Sequence, residues 1–450
     1  MDWSKLPDLV AVALLTAAFA SVARRGETSV SRIWLTGWLL ITLHFAAAMF
    51  GAANGVLGIV AGDVSLGALA SAGVLFMYAS VPYRQEPSSK WMLASILAIN
   101  VAYICLLTAG PAAAWTLNPA AIAFGAVPLA LTLYASRCLH HTLRWIVVSL
   151  YCLLSVYLLS VQNLSGSGID LAVNGVLFAV YFGCCLHVWY SYRRATAGAL
   201  ITIAGFLTWG MVFVVAPCFE TFAPNIHLES EVWNLPKYVV AVGMILLLLE
   251  DQLEHNKYLA LHDELTGLPN RRLFLDRLGY SLERARRTGT KTALLVVDLD
   301  QFKQVNDTLG HHAGDLLLQQ VSMIFAGRVR SSDTVARTGG DEFSVILEDA
   351  SDGAKAGQVA RALSEYLNEP MQVQGHSVLV GASIGVAVFP DDASDMETLR
   401  IAADLRMYDQ KNSAKESICR SGPGRIPPPH ARHGEIFTTD FRVTPERYTA

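Results

Sequence analysis

Two pairs of carboxylates carry the chemistry this chain can offer. Asp298 and Asp300 close the apolar run Thr292-Ala293-Leu294-Leu295-Val296-Val297-Asp298-Leu299-Asp300. Asp341 and Glu342 follow two glycines in Arg337-Thr338-Gly339-Gly340-Asp341-Glu342-Phe343. A carboxylate at the end of a buried run is unfavourable unless a cation meets it. Carboxylates gathered at one point make a hard-oxygen site for Mg²⁺, which shares its ligation with waters and substrate phosphates. Lys303 offers a positive charge to such phosphates, beside backbone N–H groups at a helix start. The reaction this implies is phosphoryl or nucleotidyl transfer by metal-assisted in-line displacement. An acidic glycine turn taken alone is an ordinary solvated hairpin tip. The combination is what points to chemistry.

These residues need a frame. The run ending at Asp298 reads as a strand buried on both faces. Thr334 to Arg337 and Phe343 to Leu347 alternate like two short strands. Gly339-Gly340 between them is expected to turn the chain with φ > 0, placing Asp341 and Glu342 at a hairpin tip. Helices are expected over Leu273 to Arg287, from Gln301 to Thr308 after a turn, from Gly310 to about Val329, over Lys355 to Leu367 and over Leu399 to Lys411. A last strand is expected within Val378 to Phe389. The order β-α-α-β-β-α-β-α is that of an α+β domain with a mostly antiparallel central sheet.

Five motifs in order give this region a resemblance. They are Asp263-x-Leu265-Thr266-Gly267-Leu268-x-Asn270-Arg271, Asp298-x-Asp300-x-Phe302-Lys303-x-x-Asn306-Asp307, Gly310-His311-x-x-Gly314-Asp315, Arg337-x-Gly339-Gly340-Asp341-Glu342-Phe343 and Ser383-Ile384-Gly385-Val386-Ala387. Residues 263–420 resemble the GGDEF family of diguanylate cyclases. The resemblance implies a palm-like fold and the joining of two GTP molecules into cyclic di-GMP, with release of pyrophosphate, between two facing domains of a homodimer. It implies Mg²⁺ or Mn²⁺ held by Asp298, the Leu299 carbonyl and Asp341. Asp341 would also accept the 3′-OH proton, with Glu342 supporting the second metal or the base. Asn306 and Asp315 would bond guanine, with His311 nearby, and Lys303 and Lys411 would meet the phosphates. Arg330 and Asp333 match an R-x-x-D product-inhibition site, with Arg361 as a second arm. The family pattern Ala-Lys-x-x-Gly-Arg-Asn stands here as Gln410-Lys411-Asn412-Ser413-Ala414-Lys415-Glu416. Lys415 therefore brings a point charge where arginine would bring a bidentate fork.

The rest of the chain is of another kind. Of 450 residues 53% are hydrophobic and 16% charged, the mean hydropathy is +0.38, and the charges are scarce from Pro7 to Glu250. A net charge of −4 shows no basic bias, so nucleic acid is not an expected partner. Apolar spans are read at 7–23, 33–51, 64–82, 91–110, 119–136, 143–162, 171–190, 199–217 and 234–250, each near the ~20 residues that cross a bilayer. Arg24, Arg25, Arg32, Arg84, Lys90, Arg137, Arg144, Arg193 and Arg194 fall in alternate loops, and the other loops hold mainly Asp63, Asp170, Glu220, Glu229 and Glu231. That alternation puts the N-terminus outside and the end of the ninth span in the cytoplasm. The first span lacks a basic region before it and is expected to stay as a span, not a cleaved leader. The seven cysteines show no disulfide framework.

The expected organisation is a polytopic all-α membrane domain at 1–250, a helical connector at 251–262, the cyclase-like domain at 263–420 and a disordered Pro-rich tail at 421–450. The location expected is the bacterial inner membrane, with the catalytic domain in the cytoplasm. His44 and His187 lie in apolar spans. Packing between helices with a hydrogen bond is favoured for both over haem or metal ligation, because no paired-ligand spacing supports a ligand role. Gly51 to Gly55 is read as a site of close helix packing, and aromatic residues near span ends as interfacial anchors. Leu246, Leu249, Leu253, Asn256 and Ala260 fall at heptad-like spacing, which is compatible with a dimeric signalling helix or a plain tether. Two other functions fit the same sequence: a catalytically silent receptor for cyclic di-GMP or GTP, and a transporter or sensor regulated by its cytoplasmic domain.

Overall fold

The structure, a computed structural model, describes residues 1–26, 29–80, 87–108, 114–134, 141–162, 164, 168–192, 195–223, 225, 230–349 and 353–420. The tail at 421–450 and the loop arginines Arg84, Arg137, Arg193 and Arg194 lie outside the described residues. The chain divides into two compact units, residues 1–256 and 257–450.

The first unit is helical: α1 (Leu6–Gly26), α2 (Ser29–Ala48), α3 (Val56–Ala79), α4 (Pro87–Thr108), α5 (Ala114–Tyr134), α6 (His141–Val161), α7 (Gly168–Ser191), α8 (Ala197–Phe222) and α9 (Ser230–Leu261). Each overlaps one of the spans read from the sequence. Among the described residues seven are long and apolar enough to cross a membrane, and α4 and α6 contribute the shorter apolar stretches Leu93–Thr108 and Trp145–Val161. α9 passes through the expected connector without a break.

Trp34, Trp38, Trp209, Tyr103, Tyr151 and Tyr181 are fully buried and fill the core, while Trp3, Trp91, Trp189 and Phe222 near the helix ends are exposed. One expectation for this unit is corrected. Residues 51–55 form the turn between α2 and α3, not a packing seam. Close approach occurs instead between α8 and α9, where a Cβ on Gly243 would lie 2.6 Å from the Thr202 amide nitrogen and one on Gly205 2.9 Å from that of Val240. Buried charge is present as well: Asp8 and Lys237 are 2% and 7% exposed. Asn234 joins them, donating to Asp8 Oδ2 at 2.7 Å and accepting from Lys237 Nζ. His44 bonds across helices as expected, its Nδ1 2.9 Å from Ser65 Oγ, whereas His187 Nδ1 lies 2.8 Å from the Gly183 carbonyl of its own helix.

In the second unit the elements are α10 (Arg271–Thr288), β1 (Thr292–Leu299), α11 (Phe302–Leu309), α12 (His311–Arg328), β2 (Thr334–Arg337), β3 (Glu342–Leu347), α13 (Gly353–Leu367), β4 (Met371–Val373), β5 (His376–Val378), β6 (Ala382–Phe389) and α14 (Met396–Arg420). The sheet runs β2-β3-β1-β6 with every pairing antiparallel. β1 is central and all eight of its residues are buried, which is why it reads as an unbroken apolar run. Its odd residues Leu295, Val297 and Leu299 face a core shared with α12 and α13, including Leu317, Val321, Phe325 and Leu363. Leu294 and Val296 face a second core with Phe274 and Leu278 of α10 and Leu399 and Ala403 of α14. Each such buried aliphatic side chain contributes ~1.5–3 kcal/mol. The hairpin β4-β5 was not expected. It turns at Gln374 and Gly375, with φ of +51° and +81°, and its three-residue strands are too short to show a period.

Asn270 caps α10, its Oδ1 accepting from the amides of Arg272 and Leu273, and Gly289 ends the helix at φ +69°. These two signals fix where β1 begins, and so where Asp298 ends it.

Candidate active site

The antiparallel register sets the site. Asp298 stands opposite Glu342 on β3 and opposite Ser383 on β6. The Leu299 amide donates to the Asp341 carbonyl at 3.1 Å, so Asp298, Leu299 and Asp341 are neighbours through the backbone alone. Glycine serves the hairpin otherwise than expected. Neither Gly339 nor Gly340 is among the residues with positive φ. Gly339 is needed for space, since a Cβ there would sit 2.6 Å from Glu342 Oε2 and 3.1 Å from Glu342 Cβ. The tip closes by the Thr338 and Gly339 amides donating to the Glu342 carbonyl at 3.0 and 3.3 Å.

Arg337 braces that tip. Its Nη1 donates to both oxygens of Asp263, at 2.9 and 3.1 Å, and its Nε and Nη2 donate to the Gly340 carbonyl at 3.2 and 2.8 Å. Asp263 also accepts from the Thr266 amide and hydroxyl at 2.9 and 2.7 Å. Burial works to raise the Asp263 pKa, but the Thr266 and Arg337 hydrogen bonds outweigh it and the value falls below the usual carboxylate range. The sequence motif that begins at Asp263 is thus the outer half of a clamp on the hairpin.

Glu342 is pushed the other way. Partial burial comes first, and the charges of Asp298, Asp341 and Asp404 then raise its pKa, with Arg271 opposing them. Arg271, Thr338, Ser344, Arg400 and Asp404 line a small hollow of about 220 Å³ beside it. Asp404 and Arg400 were not singled out from the sequence; a carboxylate on α14 gives no local signal of which strand it will face.

The cation that a strand-end carboxylate demands is present. Lys411 Nζ of α14 lies 2.5 Å from Asp298 Oδ1, with the two side chains 29% and 11% exposed. α14 is held over β6 by Gln410, whose Oε1 accepts from the Ile384 amide at 2.7 Å, and by Gly385, where a Cβ would lie 1.9 Å from the Ala403 carbonyl oxygen. Asp300 accepts from Ser383 Oγ at 2.9 Å. Among the described residues no three Asp, Glu, His or Cys side chains form a ready metal cluster. The donors nonetheless fit a hard divalent ion: two carboxylates and a main-chain carbonyl held together by strand register, with a cation already drawn to one of them.

After β1 the chain passes Gln301 at φ +61°, a left-handed conformation for a side chain without local compensation, and α11 starts with no side-chain cap. Its first amides therefore have no side-chain acceptor, and Lys303 is exposed on its first turn. At the other end, Asn306 Oδ1 is buried and has no hydrogen-bond partner. It lies against Gly314, where a Cβ would be 1.9 Å away. Asp315 and His311 are exposed on the first turns of α12 beside it. A buried amide oxygen without a donor is what a base carrying N–H groups would satisfy.

Arg330 and Asp333 sit between α12 and β2. Asp333 accepts from the Arg330 amide at 3.0 Å and the Glu348 amide at 3.1 Å, so its carboxylate is fixed in place. It borders a hollow of about 390 Å³ lined also by Asp276, Arg277, Tyr280 and Glu348. Arg361 is exposed on α13, whose core lies on the opposite face of the sheet from α10 and this hollow. The side chain of Lys415 lies outside the described residues.

An antiparallel α+β domain with acidic residues on adjoining strand ends, a lysine over them and an open helix start beside them is an arrangement compatible with binding a metal ion and phosphates. Residues 260–417 match the family described as diguanylate cyclase, GGDEF domain, and through this domain the chain belongs to that family. The bifunctional diguanylate cyclase/cyclic di-GMP phosphodiesterase MucR of Pseudomonas aeruginosa is 40% identical over 196 residues, which cover 40% of this chain and 28% of MucR. The diguanylate cyclase TpbB of the same organism is 39% identical over 170 residues, covering 38% of this chain and 39% of TpbB. The solved GGDEF domain of TpbB is 40% identical, covers 34% of this chain and 89% of that domain, and has a TM-score of 0.33. The chain spans well under half the length of these two curated relatives.

Proposed function

We propose that this protein is a membrane-anchored diguanylate cyclase that condenses two GTP molecules into cyclic di-GMP with release of two pyrophosphates. The observation that carries the reading is the register of β1 and β3, which sets Asp298 against Glu342, with Asp341 one backbone hydrogen bond from Leu299. Asp298, Asp341 and the Leu299 carbonyl would hold Mg²⁺ or Mn²⁺. Bound there, the ion supplies charge stabilisation to the phosphoryl group under attack. Asp341, on the solvent-facing tip, takes the 3′-OH proton. The raised pKa of Glu342 suits it to hold a proton at its carboxylate or to support the base. Lys303, Lys411 and Lys415 meet the phosphates. Asn306 Oδ1 accepts from guanine, and Asp315 accepts from the guanine N1–H and N2 amino group, which adenine lacks. His311 stands at the edge of that site.

Each domain carries one set of these groups, so closing a two-bond ring needs two nucleotides face to face in a homodimer. The exposed Leu249 and Leu253 on α9 suit a pairing helix for that purpose. Arg330 and Asp333 are the groups assigned to product inhibition, and Arg361, on the other face of the sheet, stands apart from them. The apolar helices support a location in the bacterial inner membrane, with this domain in the cytoplasm.

Full-length protein in lipid nanodiscs, given Mg²⁺ and GTP, is expected to yield cyclic di-GMP by mass spectrometry, and Asp341→Asn to yield none. Binding of GTP or cyclic di-GMP without any turnover would overturn the enzyme reading in favour of a silent receptor.

A further inference from the structure

We infer that Lys411 is the resident counter-ion of Asp298, that a divalent cation and this ammonium compete for one carboxylate, and that the competition couples metal binding to triphosphate binding. The inference rests on the reading of Asp298 as a metal ligand and deepens it. Asp298 is 8% exposed at the end of the central strand, where an uncompensated charge is strongly unfavourable. Its carboxylate meets Lys411 Nζ at 2.5 Å. Asp341 and Asp300 add their negative charge to the field at that ammonium.

A metal ion arriving alone must therefore break a charge-assisted hydrogen bond and leave a lysine among carboxylates. A metal ion arriving with a triphosphate gives that lysine an anion to turn to. The movement is confined to the side chain, because Gln410 and the Gly385 contact hold α14 in place while the Lys411 side chain keeps 29% of its surface in solvent. Nucleotide should then tighten metal binding, and metal should tighten nucleotide binding by the same factor. One residue so opposes the free metal and favours the loaded one.

The test is Mn²⁺ binding followed by electron paramagnetic resonance, on the full-length protein in nanodiscs, with and without a non-hydrolysable GTP analogue. Lys411→Met is expected to bind Mn²⁺ alone about tenfold more tightly than the wild type, the equivalent of one charge-assisted hydrogen bond. The same variant should lose most of the tightening that the analogue brings. Lys411→Gln, which keeps a polar stem without the charge, should rank with Met. The Mn²⁺-induced rise in thermal midpoint should be larger in both variants than in the wild type. Unchanged or weaker Mn²⁺ binding by both variants without nucleotide would overturn the inference while leaving the metal site standing. If instead Asp298→Asn leaves Mn²⁺ binding intact, Asp298 is no ligand, and the metal reading and this inference fail together.

Discussion

Replacing Arg337 by methionine isolates what the clamp on the hairpin contributes. The guanidinium and the Asp263 carboxylate are 13% and 25% exposed, so the pair is neither a surface ion pair nor a fully buried one. Exposed pairs contribute ~0–1 kcal/mol. Removing one partner of a fully buried pair costs ~3–5 kcal/mol, because the other charge is stranded. Asp263 would not be stranded, since the Thr266 amide and hydroxyl still reach it. The Gly340 carbonyl would lose both of its guanidinium donors. About 2–3 kcal/mol of local stability is therefore expected to go, within the range for hydrogen bonds to charged groups. With two units in one chain a global midpoint is a poor gauge. Hydrogen exchange of the Thr338 and Gly339 amides, which close the tip, is the direct one. Exchange there should rise by roughly 30- to 150-fold, and a cycle with Asp263→Asn should show coupling of about 2 kcal/mol. Since ~1 Å of misplacement can remove 10²-fold in rate, cyclase turnover should fall by a similar factor. Unchanged exchange at both amides, or coupling below about 0.5 kcal/mol, would refute the idea that Arg337 holds the tip.

Asp263 also gives a pH dependence. Its folded pKa is depressed, so its contribution is complete above the unfolded value and disappears as pH falls through the folded one; the stability difference between wild type and Asp263→Asn should be constant near neutrality, begin to fall near about pH 4 and be lost only below the folded pKa, by denaturant titration across pH. Gly314→Ala puts a Cβ on Asn306 Oδ1 and should displace that amide, weakening binding of a non-hydrolysable GTP analogue at least tenfold by calorimetry while costing about 1–3 kcal/mol in stability. Gly385→Ala forces backbone against backbone, at 1.9 Å from the Ala403 carbonyl oxygen and 2.5 Å from the Met407 amide; α14 should lift from β6, costing about 3 kcal/mol and exposing α14 to limited proteolysis.

Much of the GGDEF domain was legible because its signals are local. An apolar run of strand length, helix periods and capping residues such as Asn270 and Gly289 each act within a few positions, and they fixed β1, α10 and the carboxylate at the strand end. The geometry of the glycine pair was not legible. A sequence shows that glycine is present, not whether it supplies φ > 0 or room for a neighbour, and here the neighbour is Glu342. The clamp from Arg337 to Asp263 spans 74 positions, and the lysine on Asp298 spans 113. Partners at such separations are chosen by sheet order and helix placement, which no window of sequence contains. The resemblance named Lys411 as a phosphate contact, and only the packing of α14 on β6 shows what it touches beforehand.

The membrane unit was legible at the level of spans and opaque below it. Hydropathy reports how many residues suit hydrocarbon, and that average is insensitive to one lysine in a long apolar helix. Lys237 escaped notice for this reason, yet it is buried in α9 with its Nζ 4.6 Å from the centre of the Phe45 ring. Its ammonium is accepted by Asn234, which in turn donates to Asp8 of α1, so the charge is compensated by a residue more than two hundred positions away. Ionisable groups in such surroundings persist only with partners, and the partnership ties the first helix to the last. The same helix continues unbroken to Leu261, carrying exposed Leu249 and Leu253. Sequence patterns recorded that end of α9 and missed the other because an exposed apolar residue in a polar stretch breaks an average, whereas a paired charge in an apolar stretch is absorbed by one.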